Sequence, residues 1–245
     1  MVEHYPIIVA ANRDEHYNRP SAPPALWHTK PQILAGRDLV AGGTWLGVNE
    51  HGLLVGVLNR PSVGDADLLR TRRSRGLLCR DLLELKTADA AAELVITDKL
   101  KYQPFTLVFA DSKTAWIAYN LLDDIKTVKL GEGLHVYSSG TEFAARSQKV
   151  DHAYSKFTQV IENTPLSTRD PGAWVSSLRV VLGDHASING SSEPKGAICV
   201  HGPTSGTVSS TIIFYSQAEP HFDSFNCLGP PCQLAFGKAL ALNVQ

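Results

Sequence analysis

No stretch of the 245-residue sequence holds enough consecutive apolar residues, about 18–20, to span a bilayer as a helix. Charge of one sign is lacking too: 23 Lys and Arg stand against 24 Asp and Glu, a formal net charge of −1. So balanced a chain offers no electrostatic case for nucleic acid or an anionic membrane as its partner. Cysteine is scarce, with Cys79, Cys199, Cys227 and Cys232 scattered along the chain. That excludes the dense disulfide framework of a small secreted fold. The opening MVEHYPIIVAANRDE lacks the apolar core and small-residue cleavage site of a secretory signal. A reducing cytoplasm is therefore the expected compartment. Also missing are G-x-G-x-x-G, a Walker loop, H-E-x-x-H and paired C-x-x-C motifs.

What is present reads as a globule. The apolar fraction of 43% and charged fraction of 19% suit a buried core in a single domain spanning 1–245, with no repeat or linker to divide it. PIIVAA (6–11) predicts a short strand. TWLGVN and LLVGVLN are two strand-like runs joined through Glu50, His51 and Gly52, a hairpin signal. RGLLCRDLLELK (75–86) and residues 87–100 predict helices, the second capped by Thr87. Strands are expected at 105–111, 115–121, 125–130, 134–139, 196–202 and 207–215. Helices are expected over 142–162 and 171–182, the latter opening at Asp170-Pro171. Two helical batches against mainly antiparallel strands make an α+β arrangement.

Few residues announce chemistry. Cys227 and Cys232 bracket a four-residue spacer with no second ligand pair nearby, and the nine histidines show no ligand spacing, so no metal site is expected. His51 and His201 read as turn or core residues. Asn189-Gly190-Ser191 is a formal glycosylation sequon that, without a secretory signal, reads only as a turn. RTRRSRG (70–76) reads either as a solvated loop or, through Arg73, Ser74 and Arg75 at a helix N-terminus, as an anion site. Gly42 and Gly43 allow a sharp turn or a close backbone approach beside Trp45. The tetrad Asn12, Arg13, Asp14 and Glu15 follows an apolar strand. Alternation would put Asn12 and Asp14 on one face and Arg13 and Glu15 on the other, which predicts a strand end rather than a strand middle.

Taken together, AANRDEHYNRPSAPP, AGRDLVAGGTWLGVNEHGLLVGVLNR and RSRGLL resemble the NRDE family, also called the transport and Golgi organisation protein 2 family. The resemblance is dense over 6–86 and looser over 102–111 and 198–215. It implies the fold of the N-terminal-nucleophile hydrolases: a four-layer αββα sandwich of two antiparallel sheets between helices. In that superfamily an N-terminal residue, often Cys, attacks an amide carbonyl while its own α-amine serves as base. Arg13 and Asp14 match the Arg and acidic positions that support such a nucleophile, and Asn59 is a candidate oxyanion donor. Asn12, Glu15, Trp45, Arg73 and Arg75 are candidate ligand contacts. The family is associated with haem mobilisation and with acyl-lipid or acyl-CoA homeostasis. The resemblance thus implies a small hydrophobic or anionic ligand, haem among the possibilities, and no required cofactor. The alternative it implies is hydrolysis of a linear amide.

This chain departs from the family pattern in three places. Members typically begin Met-Cys and carry a strand ahead of VAANRDE, whereas this sequence begins Met1-Val2 and lacks that strand. An upstream start followed by Cys is the expectation. Near the C-terminal strands SGTVSST puts Ser205 and Val208 where the family has Tyr and Arg. YSSGTEFAARSQK (137–149) keeps little of the family pattern beyond Lys149.

Overall fold

A computed structural model describes residues 4–60, 71–121, 124–139, 147–165, 170–185 and 196–245. Met1, Val2, Arg70, the start of the helix expected from 142, and the sequon at 189–191 lie outside the described residues. The chain forms two compact units.

The first unit is built on a four-stranded sheet of order β1-β9-β10-β11, from β1 (Ile7–His16), β9 (Ser205–Ser216), β10 (His221–Cys227) and, at the edge, β11 (Leu240–Asn243). β1 and β10 both run antiparallel to the central β9. Among the described residues two helices belong to this unit, α3 (Gln148–Asn163) and α4 (Pro171–Leu182). Asp170 caps α4 by accepting from the Gly172 amide at 2.8 Å, with Pro171 in the first turn as the sequence predicts. Trp174, Leu178, Val181 and Leu182 recur at helical spacing and are all buried. Trp174, Leu178 and Leu182 meet Tyr5, Ile212 and Phe214, with Ile8 and Ala10 of β1 packed against them. Each such side chain removed from water contributes about 1.5–3 kcal/mol.

The second unit holds a seven-stranded antiparallel meander in chain order: β2 (Ser21–Trp27), β3 (Ile33–Asp38), β4 (Leu46–Asn49), β5 (Leu54–Asn59), β6 (Phe105–Ala110), β7 (Ala115–Leu121) and β8 (Asp124–Leu130). Its helices among the described residues are α1 (Arg75–Leu82) and α2 (Ala88–Thr97). Thr87 caps α2, and Ala88, Ala91, Ala92 and Val95 form its buried stripe. These small residues share one core with Phe105, Leu107 and Phe109, which alternate along β6. The hairpin from β4 to β5 turns at Gly52, whose φ of 88° suits glycine. Asn49 fastens it: its amide donates to the carbonyls of Leu83 (2.8 Å) and Leu85 (2.7 Å), while its oxygen accepts from the amides of His51 and Leu53.

The α+β expectation, with two antiparallel sheets and helices on each unit, holds; several local expectations do not. β1 runs past Ala11 to His16 and stays paired throughout, so the Asn12–Glu15 tetrad lies inside the strand. Residues 134–139 form no strand. Neither does 196–202, apart from one bridge between His201 and Gly206. The reason is where its backbone bonds go: Cys199 N donates to Asp184 O, Val200 N to the Thr207 hydroxyl, and Ile198 O accepts from the Asn12 side chain. α1 stops at Leu82 rather than Lys86. β2 is hidden in the sequence by Pro23 and Pro24, which an edge strand tolerates where its register shifts between Ala22 and Ala25.

Candidate functional site

β1 changes character along its length, and this places the polar tetrad. Ile8, Ala10, Asn12 and Asp14 follow one another on the face that meets α4 and α3. Asn12 is fully employed there: its amide donates to Leu182 O (2.8 Å) and Ile198 O (3.0 Å), and its oxygen accepts from the Ser210 hydroxyl. It joins the end of α4 and the connector before β9 to the sheet. Asp14 follows a register shift between Arg13 and Asp14, next to Thr207 on β9. The Thr207 hydroxyl donates to Asp14 Oδ1 at 2.6 Å and accepts from the Val200 amide at 2.9 Å. Lys149 Nζ on α3 stands 3.9 Å from Asp14 Oδ2. Burial pushes the Lys149 amine below its ordinary pKa, against the opposing pull of Asp14 and Cys199. This is a half-exposed carboxylate held by a hydroxyl and faced by a partly desolvated amine. Such a pair can bind a polar group or relay a proton.

Arg13 and Glu15 project from the other face of β1, as alternation requires. Arg13 is nearly buried, with its side chain 9% exposed, and lies 3.9 Å from Glu15, which also meets Arg19 at 3.6 Å. Arg13 and Asp14 are therefore adjacent in sequence but serve opposite faces of the sheet.

The remaining candidates lie in the second unit. Asn59 is exposed at the end of β5, its backbone paired with Phe105. Trp45 is half-buried, and its ring lies so close over Gly36 that a Cβ there would fall 2.4 Å from the indole. Gly42 takes φ 74°, and a Cβ on Gly43 would sit 2.2 Å from the backbone of Gly76. The GGTW and RSRG segments thus meet through glycines, and the Thr44 amide donates to Gly76 O at 3.0 Å. Ser74 caps α1. Arg73 pairs with Asp81 at 2.6 Å and donates to the Tyr102 hydroxyl at 3.1 Å, and Arg75 donates to Pro104 O at 3.0 Å. These bonds tie the start of α1 to residues 102–104. Burial and the Asp98 bond push the Tyr102 phenol up to about 12.

Two features of the first unit escape sequence reading. An open cleft of about 520 Å³ runs along α4, lined by Val175, Arg179, Val180, His185, Cys232 and Phe236 among others. Beside it, His185, Cys199, His201 and Cys232 bring four ligand atoms within 4.8 Å of one another. Cys227, the sequence neighbour of Cys232, is not among them; it is buried and donates to Gly229 O at 3.3 Å. The local signal was the Cys199-x-His201 spacing, but His185 and Cys232 reach the cluster only through the fold.

The family described as Transport and Golgi organisation 2 matches residues 2–224. A Transport and Golgi organization protein 2 homolog of Bos taurus is 29% identical over 242 residues, covering 85% of this chain and 82% of that protein. A Transport and Golgi organization 2 homolog of Mus musculus is 36% identical over 121 residues, covering 45% of this chain and 41% of that protein. Among solved structures, penicillin V acylase from Agrobacterium tumefaciens aligns with a TM-score of 0.55 at 14% identity, covering 91% of this chain and 80% of that one. The Caenorhabditis elegans N-acylethanolamine-hydrolyzing acid amidase ortholog aligns at 0.54 and 15% identity, covering 84% and 91%. A variant of the conjugated bile acid hydrolase from Clostridium perfringens aligns at 0.55 and 10% identity, covering 97% and 94%. At these identities the likeness shows the fold, which is the Ntn-hydrolase-like fold that the NRDE resemblance implies.

Proposed function

Because the chain belongs to the Transport and Golgi organisation 2 family, we propose that it binds and mobilises a small hydrophobic anion, such as haem or an acyl-CoA or acyl lipid. The observation that carries this reading is the cleft along α4. Val175, Val180 and Phe236 give it apolar walls, and Val180 is left 74% exposed. Arg179 adds a cation whose orientation is set by its Nε bond to Pro231 O at 3.0 Å. An apolar surface with one well-placed guanidinium suits a ligand with an apolar body and a carboxylate or phosphate. Titration with haem, read at the Soret band, and with a fluorescent acyl-CoA should each be tried. At least one should saturate, and Val180→Asp and Arg179→Ala should weaken that binding about tenfold or more. Absence of saturable binding by both probes would remove the proposal.

A second reading is favoured by the structural likenesses, whose names denote an acylase, an amidase and a hydrolase. On it the protein hydrolyses a linear amide, with Arg13 supporting an N-terminal cysteine. The four cysteines at 79, 199, 227 and 232 do not supply that nucleophile. The test is to express the protein with an N-terminal Cys ahead of β1 and measure turnover on an amide panel. Arg13→Ala should lower kcat; equal rates would strip Arg13 of a catalytic role.

A further inference from the structure

We propose that His185, Cys199, His201 and Cys232 form a tetrahedral Zn²⁺ site that clamps three irregular segments of the first unit together. The four residues come from just beyond the end of α4, from the connector leading into β9, and from the loop after β10. No sequence motif groups them, and although His185 and Cys232 also border the cleft along α4, no ligand contact is assigned to any of the four.

Three of the six distances between ligand atoms match a coordination shell, and all six lie within 4.8 Å. With metal–sulfur bonds of about 2.3 Å and metal–nitrogen bonds of about 2.0–2.1 Å, a tetrahedron sets its sulfurs about 3.8 Å apart and sulfur from nitrogen about 3.5 Å. Here Cys199 Sγ and Cys232 Sγ are 3.7 Å apart. His201 Nε2 is 3.6 Å from Cys199 Sγ and 3.2 Å from Cys232 Sγ. The fourth ligand has an outer partner: His185 Nδ1 lies 2.9 Å from Gly183 O, so it donates there and keeps the lone pair of Nε2 for a metal. The His185 and His201 rings stand nearly perpendicular, at 87°, with centroids 5.6 Å apart. Two imidazoles around one ion can adopt that geometry without stacking.

The backbone builds the cluster before any ion arrives. Cys199 N donates to Asp184 O at 2.8 Å, which draws the connector to the end of α4. Arg179 Nε holds the carbonyl of Pro231, the residue before Cys232. Gly183 lies against the main chain of Cys232, where a Cβ would come within 3.2 Å of its Cα and N. A Cys199–Cys232 disulfide is the competing product of the two thiols. Its sulfurs would have to close to about 2.05 Å, and it would leave the convergence of two imidazoles unexplained.

Two thiols and two imidazoles select a borderline-soft divalent ion, and four protein ligands make a closed, structural site. Cys199 is buried, whereas His185 and His201 are exposed and give the ion its way in. Binding forms two metal–sulfur and two metal–nitrogen bonds and breaks two S–H bonds, so two protons leave for solvent per Zn²⁺ taken up at neutral pH. The bound ion and two thiolates are together neutral.

The whole reduced chain, treated with chelator and then freed of it, should be titrated with Co²⁺ and afterwards with Zn²⁺. The expected result is one Co²⁺ per chain, with the visible bands of a tetrahedral ion and a thiolate-to-metal charge-transfer band, both abolished stoichiometrically by Zn²⁺. Cys199→Ser with Cys232→Ser should remove the charge-transfer band and weaken binding by more than the ~10–100-fold that loss of an outer-shell partner costs. Cys227→Ser should bind as the parent does, and circular dichroism would show whether each variant folds. Absence of a tetrahedral Co²⁺ spectrum in the reduced parent overturns the site. So does unchanged binding by the folded double variant, or loss of binding in a folded Cys227→Ser variant.

Discussion

At the scale of single residues, Thr207 shows how closely the polar end of β1 is tied to its surroundings. Its one hydroxyl accepts from the buried amide of Val200 and donates to Asp14, while the residue itself is only 3% exposed. Valine has nearly the same shape but would leave the Val200 amide without a partner and Asp14 with one contact fewer. A buried donor stripped of its acceptor costs about 1–3 kcal/mol. Thr207→Val should therefore lower stability by about that much in chemical denaturation, and Thr207→Ser should recover most of the loss. A loss in Thr207→Ser with none in Thr207→Val would mean that the methyl group, not the hydroxyl, holds the connector. Sequence reading correctly separates Asn12 and Asp14 from Arg13 and Glu15, because a period of two depends on the backbone alone. It cannot see that the Asn12 amide is consumed by two carbonyls about 170 and 186 positions away.

At the scale of elements, what was legible is what neighbours in sequence decide. Thr87 and Asp170 announce their helices because a cap acts within three residues. The β4–β5 hairpin announces itself through Gly52. The segments at 134–139 and 196–202 have strand-like composition yet no ladder, because their surroundings decide the outcome: Val136 is absorbed among Ala153, Val181 and Ile198, and the 198–200 backbone is held by Asp184, Asn12 and Thr207. The His and Cys cluster was illegible for the same reason, its ligands being separated by 14, 2 and 31 positions. The glycines at 42 and 43 fall between these cases, since their need for a turn or a close approach was readable but the partner at Gly76 was not. That contact supports a prediction. A Cβ at Gly43 would lie 2.2, 2.3 and 2.6 Å from the carbonyl carbon and oxygen of Gly76 and the amide of Leu77, all backbone atoms that cannot swing aside. Gly43→Ala should cost at least the ~1–3 kcal/mol typical of overpacking and loosen the start of α1, visible as faster amide exchange at Leu77 and Leu78. Gly196→Ala, where a Cβ meets nothing within 4 Å, is the matched control and should stay near parental stability.

At the scale of the whole molecule, the buried acids set how stability responds to alkali. Tyr102 is pushed up to about 12 by burial and by its bond to Asp98. Burial also raises Tyr5, Tyr137, Cys79 and Cys227 above their ordinary values. Each of these groups keeps its proton longer in the folded chain than in the unfolded one, where thiols and phenols titrate near ~8.5 and ~10. In that range the folded state binds more protons, so stability falls as pH rises. Below about pH 8 the contribution is complete, and for Tyr102 it is lost between about pH 10 and 12. Lys149 has the opposite sign, since a lowered amine favours folding as pH rises towards its unfolded value. It stands alone against the buried phenols and thiols. The urea midpoint should hold steady to about pH 8 and then decline through pH 11. General repulsion in an increasingly anionic chain would push the same way, so Tyr102→Phe separates the two causes. That variant loses the Asp98 and Arg73 contacts and should be weaker at neutral pH, yet its midpoint should fall less steeply above pH 10 than the parent's. Parallel slopes would show that Tyr102 does not carry the alkaline limb, and a midpoint that rises between pH 9 and 11 would refute the proton balance altogether.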